Sequence, residues 1–427
     1  MLTFDALRRR EFSRLDEQRH TYADYTGSAL YGASQIRAHY ALVAEGIFGN
    51  PHAESPASRA STEAIDRVRD IVLRFFDADA STHEVIFTAN ASAAIKLVAE
   101  SYPFDSARGC VLSIDNHNSV NGIREYARRA GAETRYVNLD RDPLPHASGL
   151  FAFPAQSNFS GALYPLSLVD AAHGCGLDVL LDAAAYASSH PLSLRECRAD
   201  FVAMSFYKLF GYPTGVGALI ARRDALTKLR RPWFAGGTVM FASIDADRHR
   251  LRSGHDAFED GTPNFLSIAA LPAGFALLDE IGMDRVHAHV GHLTQMFHDE
   301  IAPVATMYGR GTFNLEGRPY WEIEEDARRE NISLRGGCFC NPGASELAFG
   351  LQRVEKCLDE IADDFTAGRF AACTGRQVGA IRASFGIANN ERDVRRVVSL
   401  VLRCAQRSVA GTESAAGVRA FQSRGSH

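Results

Sequence analysis

Short apolar, β-branched runs alternate with amphipathic segments along the chain from residue 84 onward. The runs EVIFTA, CVLSID, TRYVNL, GLFAFPA, DVLLDAA, FVAMSFY and GALIAR each have the length and composition of a buried strand. Between several of them, the segments SAAIKLVAESY, SVNGIREYARRAG and PLSLVDAAHGCG carry apolar residues at helical spacing. This alternation predicts an α/β fold with a mostly parallel, seven-stranded sheet and helices on both faces.

The pattern changes after residue 265. SIAALPAGFALLDEIG predicts a long helix, and mixed helices and short strands follow through IRASFG and ERDVRRVVSLVLRCAQ. We therefore expect a second, smaller α+β domain. The expected boundaries are an N-terminal segment 1–60 that joins the small domain, a large domain 61–265, a small domain 266–407, and a flexible, small-residue tail 408–427.

Composition narrows the class of protein. The 427 residues include 46% hydrophobic and 23% charged residues, as in ordinary globular proteins, which excludes a disordered, coiled-coil or collagen-like chain. The formal net charge is −5 and no long basic run offsets it. Such a chain has no broad attraction for nucleic acid or an anionic membrane surface, so we expect a small molecule or a protein as its partner.

The N-terminal stretch MLTFDALRRREF has charged residues where a signal peptide needs an apolar core. Elsewhere no apolar run approaches the length of a membrane span. We therefore expect a cytoplasmic protein with no membrane association. Thiols are kept reduced in that compartment, so Cys338 and Cys340 are expected to be free.

Two charged residues stand at the ends of predicted strands. DVLLDAA ends near Asp182, and FVAMSFYKLFG leads to Lys208 among aromatic residues. Singly, an aspartate can cap a turn and a lysine can extend to solvent, but the carboxyl ends of parallel strands are where ligands bind. A lysine with apolar neighbours has a lowered pKa and can form a Schiff base. An aspartate beside a pyridine nitrogen keeps that nitrogen protonated.

The segment TANASAAIKL passes from strand to helix through small residues. The backbone amides near Ala91 and Ser92 can therefore point at an anion, helped by the helix dipole. Ser205 adds a hydroxyl three residues before Lys208. No GxGxxG or Walker motif competes with this interpretation.

The loop LRGGCFCNPG places Cys338 and Cys340 one residue apart. A disulfide between them is disfavoured because the ring would be strained and the compartment reducing. Zinc, and a metal site in general, is disfavoured because no second close cysteine or histidine pair follows at finger spacing and Cys357 falls in a predicted helix. A reactive thiol and a merely packed loop remain as alternatives.

Several motifs together resemble one family: YADYTGSALY, GNPH, FTANASAAIKLVAE, DNHNSV, FPAQSNFSG, LLDAA, SFYKLFGYPTGVGAL, RGGCFCNPGASE and IRASFG. The chain resembles the pyridoxal-phosphate enzymes of the class V aminotransferase and cysteine desulfurase family, in particular the sulfurase domain of molybdenum cofactor sulfurases. The resemblance implies a pyridoxal-phosphate fold of type I, with a large α/β domain and a smaller α+β domain.

The resemblance also implies a cofactor site. It assigns Lys208 as the lysine that holds the cofactor covalently, Asp182 as the partner of the ring nitrogen, and His117 as the catalytic histidine stacked on the ring. Asn158 would lie near a cofactor oxygen or the substrate. The phosphate contacts would be Ala91, Ser92, Ser205, Tyr207 and, across a dimer interface, Thr238. Taken alone, His117 could be a loop histidine and Asn158 an Asx-turn residue.

For the substrate, the resemblance assigns Arg382 as the clamp on the carboxylate, assisted by Arg335. An arginine fork suits that role, whereas the ordinary alternative is a surface salt bridge. The spacing from the arginine places Cys340 at the position of the persulfide-forming cysteine, on a loop expected to be mobile. Cys338 would be a bystander or a sulfur relay.

The implied function is a cysteine desulfurase that converts L-cysteine to L-alanine, with a persulfide formed on Cys340. The alternatives are another class V reaction (transamination, C–S or C–Se lysis, or epimerisation) and a non-catalytic cofactor-binding protein. We expect a homodimer and a sulfur-acceptor protein. The acceptor is left open, since eukaryotic molybdenum cofactor sulfurases continue into a cofactor-binding domain and this sequence ends soon after its predicted small domain.

Overall fold

The computed structural model describes residues 2–422, with side chains through residue 407. Its contacts divide the chain into two compact units. We call Ser28–Ser157 with Leu163–His287 the large unit. Met1–Gly27, Asn158–Ala162 and Ala288–His427 form the small unit.

The α-helices are α1 (Phe4–Glu11), α2 (Arg14–Glu17), α3 (Ala33–Glu45), α4 (Pro56–Phe75), α5 (Ala91–Ser101), α6 (Asn118–Asn121), α7 (Ile123–Arg129), α8 (Leu168–Gly174), α9 (Phe206–Phe210), α10 (Arg223–Leu226), α11 (Phe265–Ile281), α12 (Met283–Ile301), α13 (Tyr320–Arg329), α14 (Pro342–Phe349), α15 (Glu355–Ile361), α16 (Ala367–Thr374) and α17 (Glu391–Gln422). Short 3₁₀ helices lie at Tyr186–Ser188, Gly254–Ala257 and Ala362–Asp364. Residues 408–422, expected to form a flexible tail, continue helix α17, and residues 423–427 lie outside the described residues.

The strands are β1 (Thr21–Tyr22), β2 (His83–Thr88), β3 (Arg108–Ser113), β4 (Thr134–Val137), β5 (Ser148–Pro154), β6 (Leu177–Asp182), β7 (Phe201–Ser205), β8 (Gly217–Arg222), β9 (Val239–Ser243), β10 (Arg248–Leu251), β11 (Thr306–Met307), β12 (Thr312–Asn314), β13 (Ile332–Ser333), β14 (Arg335–Gly337) and β15 (Ala380–Arg382). Each of the seven predicted strand segments overlaps one of β2 to β8.

The large unit is built on a seven-stranded sheet of order β2-β8-β7-β6-β5-β3-β4. Neighbouring strands are parallel except for β8, which runs antiparallel to β2 and β7. The predicted mostly parallel sheet is thereby confirmed. Helix α5 shows how a helix covers it, because Ala94, Ile95 and Val98 lie on one face at helical spacing and are buried in the same core as Leu112 and Leu150.

The small unit contains a four-stranded sheet of order β11-β12-β15-β14. Phe313 of β12 and Ile381 of β15 are buried in one core with residues of α12 and α17. A second core contains Phe159 with Phe339 and Phe349. Phe159 explains why the short segment Asn158–Ala162 belongs to this unit although it is distant in sequence from the rest.

Cys357 of α15 and Cys373 of α16 form a disulfide. The sequence analysis did not predict this pairing. Cys338 and Cys340 are free thiols, in agreement with the sequence analysis. Because disulfides persist mainly in oxidising compartments, the Cys357–Cys373 disulfide counts against a cytoplasmic location, which stays a prediction.

No single helix among the described residues is long and apolar enough to span a membrane, and only the bent pair α11–α12 passes that test jointly.

His190 allows a stability test in the large unit. Burial, and next the neighbouring His287, lower the pKa of His190 from 6.5 to about 4. Unfolded His190 therefore binds a proton between these pH values while folded His190 does not, so its contribution to stability is present above pH 6.5 and is lost as the pH falls toward 4. We expect His190→Gln to flatten the pH dependence of the unfolding free energy in this window, measured by urea denaturation. The same substitution at the exposed His146 should not change the slope.

Candidate active site

Asp182 and Lys208 leave the sheet of the large unit at the same edge. Asp182 is the last residue of β6, and β7 ends at Ser205, with Lys208 in the helix that follows at once. The two strands are adjacent and parallel, with Asp182 paired to Ala203, so their carboxyl ends coincide. The Asp182 carboxylate accepts a hydrogen bond from the Ala184 amide at 3.0 Å, which fixes its direction. Lys208 is partly exposed between the buried Phe206 and Leu209.

His117 follows β3, and its charge state depends on both of these residues. Burial lowers the pKa of His117 most, the Asp182 charge raises it, and the Lys208 charge lowers it. The Ser119 amide donates to His117 Nδ1 at 3.1 Å, so the neutral ring carries its proton on Nε2. Imidazole, carboxylate and amine thus share one electrostatic environment, and the catalytic roles assigned to them stay predictions.

The N-terminus of α5 lies beside these groups. Ala91 N donates to Ser205 Oγ at 2.7 Å, which directs the Ser205 hydroxyl proton to another acceptor. Ser92 Oγ and Ser119 Oγ are 2.5 Å apart, and Ser119 in turn bonds His117. Gly217 lets β8 approach this turn, since a Cβ there would lie 2.6 Å from the Asn90 backbone.

This donor set fits pyridoxal phosphate. A carboxylate for a ring nitrogen, a lysine for the aldehyde, and two serine hydroxyls beside a helix N-terminus for the phosphate are the groups that this cofactor requires. Tyr207 lies between Ser205 and Lys208, and its carbonyl oxygen accepts hydrogen bonds from the amides of Ala29 and Gly211. The role of the Tyr207 side chain at the phosphate stays a prediction.

Thr238 lies in a different local setting. It is fully buried, and its hydroxyl both accepts from Ala235 N and donates to Ala235 O, each at 2.9 Å. Within this chain the hydroxyl therefore closes its own turn. Its predicted contact with a phosphate of a second subunit is not tested by these bonds.

The two predicted substrate arginines are brought together in the small unit. Strands β14 and β15 are antiparallel, and Arg335 is paired directly with Arg382. The Asp24 carboxylate bridges them: it accepts from Arg335 Nη2 at 2.6 Å and from Arg382 Nη2 at 3.4 Å. Arg335 is about half exposed, whereas the Arg382 side chain is 5% exposed. Arg382 is therefore a buried cation, which excludes the surface salt bridge considered from the sequence.

Arg382 has an unusual set of neighbours. Burial lowers its pKa to about 10, with Asp24 opposing that effect, so the guanidinium is still charged near neutral pH. Its Nη1 donates to the Asn158 carbonyl oxygen at 2.5 Å, and its Cζ lies 4.6 Å from the centre of the Phe339 ring. Its Nε is buried and has no hydrogen-bond partner among the described residues. A buried donor without a partner is costly, so the group is suited to receive an anion.

Asn158 belongs with this arginine. Its side-chain Nδ2 donates to the Phe339 backbone carbonyl oxygen at 2.5 Å, and the backbone carbonyl oxygen of Asn158 accepts from Arg382 Nη1. The structure therefore supports the substrate side of the Asn158 prediction by contact. It also argues against the simple Asx-turn alternative, because the partners of the side chain are distant in sequence.

The cysteine loop is short and held in place. It occupies the few residues between β14 and α14, and the Asn341 amide donates to the Cys338 carbonyl oxygen at 3.0 Å. Phe339 and Cys340 both have φ of 55°, a left-handed conformation that costs energy in residues other than glycine. Asn158 and Arg382 hold Phe339 in that conformation. Cys340 itself is exposed. These contacts anchor Phe339 within the loop, and the expected mobility of the loop stays a prediction.

The sequence analysis did not single out Ser119, Asp24 or Phe339. Ser119 and Phe339 stand inside the quoted motifs DNHNSV and RGGCFC, next to assigned residues, and Asp24 is a lone acid within YADYTGSALY. An acidic residue in an otherwise weakly polar, strand-like stretch was the available signal for Asp24. No group of three or more His, Cys, Asp or Glu residues suited to a metal ion occurs in the part of the chain that the structure describes.

Comparison with known proteins gives a consistent result. The model of the family described as Aminotransferase class-V matches residues 21–397. The molybdenum cofactor sulfurase of Anopheles gambiae is 37% identical over 96% of this chain and 60% of its own length. Those of Solanum lycopersicum and Homo sapiens are each 34% identical over 93% of this chain, and over 56% and 51% of their own lengths. The chain thus spans little more than half the length of these relatives.

Solved structures share the fold. The cysteine desulfurase CsdA of Escherichia coli matches with a TM-score of 0.77 and 21% identity, covering 95% of this chain and 99% of that one. A cysteine desulfurase of Thermococcus onnurineus matches with a TM-score of 0.78 and 22% identity, covering 94% and 98%. The predicted fold class is confirmed.

The geometry of the large unit predicts the attachment site of the cofactor. Protein reduced with borohydride in the presence of pyridoxal phosphate should carry the pyridoxyl group on Lys208, located by peptide mass spectrometry. Lys208→Ala should abolish this label, while Lys228→Ala should keep it, because Lys228 pairs with Asp178 at the surface. A label retained on Lys96, Lys228 or Lys356 in Lys208→Ala would show that the wrong lysine was assigned.

Proposed function

The chain belongs to the class V aminotransferase family of pyridoxal-phosphate enzymes, and from this premise we propose that it is a cysteine desulfurase that converts L-cysteine to L-alanine. The observation that carries the proposal is the connection between Cys340 and Arg382. An exposed thiol directly follows Phe339, whose ring lies over a buried arginine suited to a carboxylate. The same short loop thus carries Cys340, the proposed nucleophile, and contacts Arg382, the residue proposed to bind the amino acid.

Bound pyridoxal phosphate supplies an electron sink for charge that develops at the substrate Cα. The Asp182 carboxylate would stabilise a positive charge on the ring nitrogen, and the hydrogen bond from the Ala184 amide orients that carboxylate. His117 is neutral at physiological pH, since burial lowers its pKa, and it presents Nε2–H. Lys208 is the base we assign to the proton on Cα, a role open to a lysine as a neutral amine.

Arg382 is the residue we assign to the carboxylate of the substrate. Its unpartnered Nε can donate to one carboxylate oxygen, and Nη2, which lies 3.4 Å from Asp24 and carries a second N–H, can donate to the other. The Asn158 carbonyl oxygen and the Phe339 ring hold the guanidinium from other sides. Removing water from this charge strengthens the contact, because the effective dielectric constant around a buried arginine is low.

Cys340 is the residue we assign to the sulfur-transfer step. Its thiolate attacks the sulfur of the substrate, so that an S–S bond forms on Cys340 and the C–S bond breaks. The electrons of the broken bond go to the substrate carbon, which takes up a proton and becomes the methyl group of alanine. The enzyme keeps the sulfur as a persulfide on Cys340, an exposed residue. A sulfur-acceptor protein or a small thiol must therefore reach Cys340.

The proposal includes a homodimer formed through the large unit. Ile36, Tyr40 and Val43 lie on one face of α3 at helical spacing, and all three are exposed, Tyr40 by 73%. The β9–β10 hairpin exposes Met240, Phe241 and the fully exposed Ile244. Exposed apolar groups of this size mark interaction surfaces, and we assign a second copy of the chain as the partner.

The two cysteines of the loop should differ in function. Cys340→Ser should keep bound cofactor but lower alanine formation from L-cysteine at least about a hundredfold, because it removes the nucleophile. Cys338→Ser should cost much less. The measurement is alanine release in a single turnover with excess enzyme, with and without added thiol.

A panel of other amino acids, scored for keto acid, sulfide and racemised product, identifies competing class V reactions. Near-normal alanine formation by Cys340→Ser, or equal and mild effects of the two substitutions, would refute the desulfurase mechanism in favour of one of these reactions.

The dimer can be tested through α3. The double substitution Ile36→Asp, Tyr40→Asp should halve the mass measured by light scattering, because it places two charges in the apolar face. The matched control is Phe365→Asp, which adds a charge at an exposed apolar residue of the small unit and should leave the mass unchanged. A wild-type monomer with full cofactor occupancy would contradict the proposed dimer.

A further inference from the structure

The Asp24 carboxylate has no role in the chemistry assigned above, yet both substrate arginines contact it. Arg335 donates to it from Nε at 3.0 Å and from Nη2 at 2.6 Å, and Arg382 donates from Nη2 at 3.4 Å. The Asp24 side chain is 11% exposed. A carboxylate this deeply buried requires partners, and here the partners are two cations that the function needs elsewhere.

The backbone fixes Asp24 between the strands that carry these arginines. Strand β1 is parallel to β13, and Tyr22 is paired to Ser333. Asp24 lies two residues after Tyr22, and Arg335 lies two residues after Ser333. On its other side Asp24 forms a parallel bridge with Ser384, two residues beyond Arg382. The backbone position of Asp24 is therefore set by strand register, and the arginines bind its carboxylate.

Arg382 shares its carboxylate partner with Arg335. Among the described residues Asp24 is the carboxylate that Arg382 contacts, at 3.4 Å, and the same carboxylate lies 2.6 Å from Arg335 Nη2. Arg335 has further compensation, because, besides Asp24, the Glu324 charge also raises the pKa of Arg335. The Asn158 oxygens and the Phe339 ring, which contact Arg382, are neutral. The charge of the buried Arg382 is thus compensated only in part, which favours binding of one further carboxylate there.

We propose that Asp24 is a positioning residue, which holds Arg382 through Nη2 so that Nε, the nitrogen without another partner, faces the carboxylate of the amino acid. This inference rests on the proposed function for the identity of the ligand. Asp24 acts through Arg382 and does not touch the substrate. Without it, two guanidinium groups on paired strands would repel each other, and the buried Arg382 would turn away from Arg335.

The experiment measures binding of L-alanine, the expected product, to the holoenzyme by titration calorimetry. Asp24→Asn keeps the shape of the side chain and removes its charge, and it should raise the Kd on the order of tenfold. In the Arg382→Lys background the same substitution should add little, since residues that act through one contact are not additive. Glu330→Gln is the matched control: it removes a carboxylate that pairs with Arg403 in the same unit, and it should leave the Kd unchanged.

A second variant keeps the test decisive if Asp24→Asn does not fold. A Cβ at Gly27 would lie 2.5 Å from Arg335 Nη2 and 2.7 Å from the Asp24 carboxylate. Gly27→Ala therefore shifts the pair without changing its charge, and it should also weaken L-alanine binding.

An unchanged or lower Kd in Asp24→Asn, or in Gly27→Ala if the former is unfolded, would overturn the proposal, as would full additivity with Arg382→Lys. Because binding is read without turnover, an enzyme that binds L-alanine but forms none from L-cysteine refutes the proposed function and leaves the result on Asp24 interpretable.

Discussion

Arg382 carries a positive charge at a place that water scarcely reaches, and much of the small unit around it serves to satisfy that charge. A guanidinium with 5% of its side chain exposed is unfavourable unless it is paired or hydrogen-bonded. The chain meets this requirement with one shared carboxylate, one backbone carbonyl oxygen and one aromatic ring. Each of the three comes from a different part of the sequence, so the charge links segments that are otherwise far apart along the chain.

The cysteine loop owes its conformation to the same charge. Two consecutive residues in the left-handed region are unfavourable, and they persist only where the surroundings hold them. Phe339 is held by its carbonyl contact with Asn158 and by its ring contact with Arg382. The direction of the next residue, Cys340, is therefore a consequence of how the arginine is satisfied. Cys340 and Arg382, the proposed nucleophile and carboxylate clamp, are therefore coupled through Phe339.

The large unit was largely predictable from sequence, and the reason is local. Buried parallel strands are short apolar runs, so β2 to β8 could be recognised one by one, and residues at their carboxyl ends, such as Asp182 and Lys208, share an edge by topology. The contacts of the small unit depend on register between distant strands. Nothing near Asp24 in the sequence indicates that β1 pairs with β13 and brings it to Arg335. The pairing of Cys357 with Cys373 is likewise a property of how α15 and α16 pack, which spacing does not determine.

This difference between the two units determines which residues carry information about the reaction. The groups that suit the cofactor arise from strand ends that any sheet of this topology provides, and they are compatible with transamination, lysis or desulfuration alike. The group that distinguishes desulfuration from the other reactions is a thiol, and its position depends on a few contacts made by single side chains. Such contacts can change without altering the fold. The identity of Cys340, and the arrangement of Asp24, Phe339 and Arg382 behind it, therefore carries more information about the chemistry than the overall architecture does.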